Sequence, residues 1–173
     1  MTYKILLLAG DGVGVEIAES ALEVISFFQS NNILNMEIEK GLVGGSAIDQ
    51  SGTPLPEGTL RSAKYSDAIL FGAVGGPKWD SLENKDRPEA GLLKLRSELD
   101  LFCNLRPATV LNGMANTSTL NAKLVDKLDL MIIRELTGGL YFGFPRGIFE
   151  EGDQQYGMNT LKYNVHEIER IAR

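Results

Sequence analysis

At 173 residues, with 43% apolar and 23% charged side chains, the chain has the length and make-up of one ordinary globular domain able to bury its own core. The net charge is −6 with Lys and Arg scattered, which argues against nucleic acid as a partner. A lone Cys103 and a lone His166 exclude a disulfide framework and Cys/His metal clusters.

In chain order, residues 3–9 form a short apolar run of strand length, expected to be buried on both faces. The run is too short for a membrane span and lacks a signal-peptide cleavage pattern, so no membrane association and a cytoplasmic location are expected. Gly10-Asp-Gly-Val-Gly14 turns the chain, and Ile17, Ala18, Ala21, Leu22, Ile25 and Phe28 then recur at helical spacing. Met36 and Ile38 alternate with acidic neighbours in a second strand. Residues 44–56 are rich in glycine and turn formers, and a short helix is expected over 57–64. Residues 67–73 read as another strand, 78–87 as a long exposed loop, and Pro88 as the first turn of a helix reaching residue 99. Further strands are expected over 101–110, 129–135 and 140–142, with an extended arm over 154–163. Strands alternating with helices through the first hundred residues predict an open, mostly parallel α/β sheet with flanking helices. Val165, Ile168, Ile171 and Ala172 line one side of a final helix that stops without a cap, so a truncated chain is expected.

The glycine turn invites a dinucleotide-binding reading, but that fingerprint requires Gly or Ala where this chain has Val15, so an ordinary Rossmann site is not expected. Arg96, Arg106 and Arg134 each follow or end an apolar run, which would place them at the rim of a sheet. Guanidinium forks match carboxylates bidentately, so three together suit a compact polycarboxylate; scattered structural ion pairs are the competing reading, and residue type leaves both open. Tyr141, flanked by glycines that permit close approach of a ligand, is a candidate proton donor, although an aromatic in such a setting more often simply packs. Cys103 reads as a small buried hydrophobe and His166 as a residue on the outer face of the last helix.

Four phrases carry a resemblance through nearly the whole chain. They are Ala9-Gly-Asp-Gly-Val-Gly-Val-Glu-Ile17, the glycine-rich stretch from Gly44 to Pro56, Gly72-Ala-Val-Gly-Gly-Pro-Lys-Trp-Asp80, and Arg134-Glu-Leu-Thr-Gly-Gly-Leu-Tyr-Phe-Gly143. Together they resemble the amino-terminal half of the isopropylmalate branch of the isocitrate/isopropylmalate family of β-decarboxylating dehydrogenases.

The resemblance implies NAD-dependent oxidation of a hydroxy-diacid, 3-isopropylmalate, with loss of CO2 to give 4-methyl-2-oxopentanoate, a step in leucine biosynthesis. It matches Arg96, Arg106 and Arg134 to the substrate-carboxylate ligands and Tyr141 to the tyrosine that protonates the enolate. Leu92 and Leu93 match the apolar patch for the isopropyl group, where an isocitrate enzyme must meet a third carboxylate. Gly76, Pro77, Lys78, Trp79 and Glu89 match positions beside the nicotinamide. It further implies a homodimer, and Mg2+ or Mn2+ held by residues beyond Arg173, with no metal ligands within this chain. Residues 1–100 correspond to the first part of a cofactor-side domain and 101–173 to the first part of a second, dimerisation and substrate domain. Related enzymes acting on isocitrate, homoisocitrate or tartrate, and a non-catalytic dimerisation fragment, are the alternatives. Two positions depart from the family phrases: Val15 stands where proline is usual, and Phe144 where a charged residue is common.

Overall fold

A computed structural model describes residues 2–111 and 113–173; these form two compact units that divide between Leu99 and Asp100. In the first, strand β1 (Tyr3–Gly10) lies at the centre of a three-stranded parallel sheet of order β2-β1-β3, flanked by β2 (Met36–Lys40) and β3 (Ala68–Ala73). Ile5 faces Ile38 on one side and Leu7 faces Leu70 on the other. Helix α1 (Val13–Ser30) makes the first crossover, and α2 (Gly45–Ser51) with α3 (Glu57–Tyr65) make the second. A central parallel strand is covered on both faces, which is why Leu6, Leu7 and Leu8 are consecutive and all buried. The main core gathers Leu6, Leu8, Val43, Leu55, Leu60 and Ala63 with Leu95 from helix α4 (Pro88–Glu98).

The β1–α1 turn explains its glycines without a nucleotide. Gly10 has φ +78°, and any Cβ there would run into the backbone carbonyl of Ala73 on β3. Helix α1 starts despite the missing proline, and the Val15 N–H donates to the Gly12 carbonyl at 3.2 Å, a bond that proline could not make. Of the expected α1 stripe, Ile17 is exposed while the other five residues are at least half-buried.

Two expectations are corrected. Residues 44–56 read as turn-rich, yet they contain helix α2. Its N-cap is Gly44, which has no side chain to offer; the Gly45 and Ser46 N–H groups donate instead to Asp11, 34 and 35 residues away. The strand expected over 140–142 is a 3₁₀ turn, Gly139–Tyr141. Gly139 has φ +74°, outside the strand region, and its carbonyl accepts from the Phe142 and Gly143 N–H groups.

The second unit holds two antiparallel pairs, β4 (Cys103–Thr109) with β5 (Asp129–Glu135) and β6 (Gly147–Glu151) with β7 (Gln154–Met158), besides the short helix α5 (Ala122–Val125). The arm expected over 154–163 is thus half hairpin, with Phe149 stacked on Tyr156 at 5.8 Å. Leu105, Leu130, Met131, Ile132 and Ile133 of β4 and β5 are exposed, and Cys103 is half-buried instead of buried. Helix α6 (Val165–Ala172) exposes Val165, Ile168 and His166, and is anchored by Arg170. That guanidinium meets Asp100 at 3.0 and 3.1 Å, bonds Thr137 and lies 4.7 Å over the Phe102 ring. No helix among the described residues is long and apolar enough to cross a membrane.

Candidate functional site

Helix α4 sorts its residues onto two faces. Pro88, Gly91 and Leu95 are buried, and the Gly91 position leaves no room for a side chain against the Pro54 backbone. Glu89, Leu92, Leu93 and Arg96 fall at i, i+3, i+4 and i+7, so they form a single stripe. Along that stripe a carboxylate, two half-buried leucines and a half-buried guanidinium follow one another over roughly 10 Å of helix. Leu92 and Leu93 stay outside the core cluster that takes Leu95.

The loop after β3 lies in the same unit. Glu89 packs its carboxylate against Gly75. Gly76 leads into a 3₁₀ turn, Pro77–Trp79, where Pro77 and Lys78 are exposed and Trp79 is half-buried. Asp49 on α2 straps this turn down. It takes the Lys78 ammonium at 2.5 Å and the Trp79 indole N–H at 3.2 Å, and the bond with Lys78 holds its carboxyl below the usual range. Further along, Arg87 closes the polar loop by donating to the Leu82 and Asp80 carbonyls at 3.0 and 2.6 Å.

In the second unit, strand register decides which groups meet. Asn104 pairs with Arg134 and Arg106 with Ile132, so Asn104, Arg106 and Arg134 share one face of the β4–β5 ribbon. Arg106 donates from Nε to Asn104 Oδ1 at 2.8 Å. The Arg134 guanidinium sits 6.0 Å from the centre of the Tyr141 ring, at the long end of a cation–π contact. Arg106, Arg134 and Tyr141 are all exposed. The close approach that Gly138 and Gly139 permit is taken by the Tyr163 ring. On the opposite ribbon face Glu135 is largely buried. Burial opposes its charge, but the Thr137 and Gly138 N–H groups, the Thr137 hydroxyl and Arg170 outweigh that and hold its carboxyl below the usual range. Phe144, the family departure, lies 5.2 Å under the Arg146 guanidinium, which also donates to the Tyr141 carbonyl at 3.0 Å.

The sequence-predicted residues therefore gather as two sets: Glu89, Leu92, Leu93, Arg96 and residues 76–79 in the first unit, and Arg106, Arg134 and Tyr141 in the second. Residue-level reasoning missed Asp11, Asp49 and Asn104. Asp11 carried a readable signal, an acidic residue between two glycines at a strand-to-helix turn; the other two become visible only once register and packing are known. Among the described residues no three His, Cys, Asp or Glu side chains come together as a ligand set, so the groups present do not form a metal cage.

Comparison with known proteins identifies the family. The family profile described as "Isocitrate/isopropylmalate dehydrogenase" matches residues 4–173. A 3-isopropylmalate dehydrogenase of Aquifex aeolicus is 53% identical over 171 residues, covering 99% of this chain and 47% of that protein. One from Chromohalobacter salexigens is 53% identical over 174 residues, covering 100% of this chain and 48% of that protein. The chain thus spans about half the length of the curated relatives it matches. Among solved structures, isocitrate dehydrogenase from Methylococcus capsulatus superposes with a TM-score of 0.77 at 26% identity, covering 98% of this chain and 45% of that one. With a profile match over nearly every residue and relatives above half identity, the chain belongs to the isocitrate/isopropylmalate dehydrogenase family.

Proposed function

We propose that this chain supplies the substrate arginines, the proton-donating tyrosine and the nicotinamide-side loop of a 3-isopropylmalate dehydrogenase acting in leucine biosynthesis. The observation that carries the reading is the α4 stripe, where two half-buried leucines sit directly between Glu89 and Arg96. A site for a branched alkyl diacid needs an apolar seat next to a carboxylate clamp. Burying the isopropyl group there contributes on the order of 1.5–3 kcal/mol. Isocitrate would bring a third carboxylate to the same leucines and leave it without a partner.

In this reading Arg96, Arg106 and Arg134 bind the substrate carboxylates and fix their orientation. Asn104 holds the Arg106 fork from one side at 2.8 Å, which leaves its terminal nitrogens to the ligand. NAD+, when bound, supplies the hydride acceptor. The chain's own groups suit the nicotinamide side: Trp79, in a turn fixed by the Lys78–Asp49 pair, offers a flat apolar surface, and Glu89 is an acceptor beside Gly75. Tyr141 delivers a proton from its hydroxyl to the enolate carbon left by the departing CO2, and the Arg134 guanidinium over its ring orients it. The family reaction also calls on Mg2+ or Mn2+, and the described residues do not form its cage. A homodimer in the cytoplasm belongs to the same proposal, as does the division into a cofactor-side part over 1–100 and a substrate and dimerisation part over 101–173.

The test joins this chain to the carboxy-terminal half of the Aquifex aeolicus relative and follows NADH formation. Turnover of 3-isopropylmalate well above that of isocitrate, homoisocitrate and tartrate is expected. The unjoined 173-residue chain should produce negligible NADH. Preference for a substrate with a polar substituent would refute the reading, and robust NADH from the unjoined chain would refute the expectation of its inactivity.

A further inference from the structure

Among the described residues, a buried carboxyl in the first unit has no task in the reaction outlined above. Asp11, in the turn between β1 and α1, is 4% exposed. Its Oδ2 accepts the Gly45 N–H at 2.7 Å and the Gly75 N–H at 2.9 Å, and its Oδ1 accepts the Ser46 N–H at 2.6 Å. Its own N–H donates to Ala73, the last residue of β3, at 2.7 Å. One carboxylate thereby ties together the β1 turn, the first turn of α2 and the residue that opens the loop after β3. Both of its oxygens are taken up by these three backbone donors.

The far end of that loop leads back to the same group. The Trp79 indole lies flat against Gly45, where a Cβ would collide with the ring, and its N–H is held by Asp49 one helical turn further along α2. Gly45, which seats the ring, and its neighbour Ser46 are the α2 residues whose N–H groups Asp11 holds. We propose that Asp11 is the positioning residue for the loop over residues 75–79, anchoring its start through the Gly75 N–H and its end through the α2 turn beneath Trp79. Residues 76–79 are the nicotinamide-side loop only under the function proposed above, so the importance of the anchor for catalysis rests on that reading.

Asparagine at this position cannot replace the carboxylate, because its amide offers one acceptor oxygen where two are in use, and its NH2 would face a backbone donor. The chain contains a single tryptophan, so its fluorescence reports on the loop alone. The experiment uses the 173-residue chain without cofactor and has two arms. In the unmodified chain, amide exchange followed by NMR should show the Gly45, Ser46 and Gly75 protons protected together. In Asp11→Asn, Gly75 exchange should accelerate about tenfold or more, the fold-change of losing a charge-assisted hydrogen bond. Trp79 emission should also shift red, with stronger acrylamide quenching. Asp49→Ala is the control, removing the acceptor of the indole N–H while leaving Gly75 protected. Gly75 exchanging at the rate of an unbonded loop amide in the unmodified chain overturns the proposal, as does a folded Asp11→Asn variant with unchanged Trp79 emission. If Asp11→Asn does not fold, the first arm decides. Neither arm involves NAD+, so the outcome is separate from the turnover assay that judges the proposed function.

Discussion

Replacing Leu95 and Leu92 by alanine, one at a time, tests whether helix α4 really separates a structural face from a ligand face. Leu95 is 2% exposed and packs in the cluster of Leu6, Leu8, Val43, Leu55 and Leu60. Alanine there removes roughly three methylene equivalents at ~0.8 kcal/mol each and leaves a void that the surrounding leucines only partly close. The expected loss is about 3 kcal/mol, within the ~2–5 kcal/mol span of buried Leu→Ala changes. Leu92 is half-buried and outside that cluster, so truncation gives up about half the transfer term and opens no closed cavity; a loss near 1 kcal/mol is expected. Urea unfolding followed by Trp79 emission reads both, since Trp79 belongs to the same unit. The difference between the variants, about 2 kcal/mol, is the quantity that matters. If Leu92→Ala were as costly as Leu95→Ala, Leu92 would be a core residue and the apolar seat for the isopropyl group would lose its structural basis.

Four further outcomes are expected. In the joined enzyme, Arg134→Gln should lower kcat/KM for 3-isopropylmalate by about 10- to 100-fold, the worth of one charge-assisted hydrogen bond. Tyr141→Phe should lower kcat by about 10²-fold or more with little change in KM; a wild-type kcat would remove Tyr141 from proton delivery. Because the Glu135 carboxyl is held below the ordinary value of 4.5, its contribution to stability is complete above that value and is lost as pH falls through the folded-state value. Unfolding midpoints of the parent chain should therefore fall on acidification below about pH 4.5 more steeply than those of Glu135→Gln, and equal slopes would count against the assignment. Arg170→Ala should cost about 2 kcal/mol in thermal unfolding, chiefly by leaving Glu135, only 10% exposed, without its cation, since the pair with Asp100, 71% exposed, adds little. Arg170→Lys should recover less than half of that loss, because a point charge cannot serve Asp100, Thr137 and the Phe102 face at once; full recovery would refute the fork argument.

Local pattern was enough wherever the stabilising partners are neighbours in the chain. The unbroken apolar run of β1, the i, i+4 stripe of α1 and the Pro88 start of α4 each state their structure within one or two turns, and each forms where expected. Helix α2 escaped because its first turn has no local cap; the acceptor arrives from Asp11 through the packing of a different strand. The 140–142 segment escaped because the φ +74° of Gly139 breaks an otherwise strand-like stretch, and the β6–β7 hairpin because its Phe149–Tyr156 stack is a cross-strand contact.

The candidate site divides in the same way. The candidate arginines and tyrosine are nameable from residue type and local phrase, and the leucine pair from the family resemblance, because residue types are written in the chain. That Glu89, Leu92, Leu93 and Arg96 share a face follows from helical period once the helix is known. By contrast, the bond from Arg106 to Asn104, their common face with Arg134, and the grip of Asp11 on Gly75 depend on strand register and on hydrogen bonds reaching up to 64 residues along the chain. Such pairings are chosen by which apolar faces are buried together, a property of the whole packed unit, and only the tertiary structure decides it.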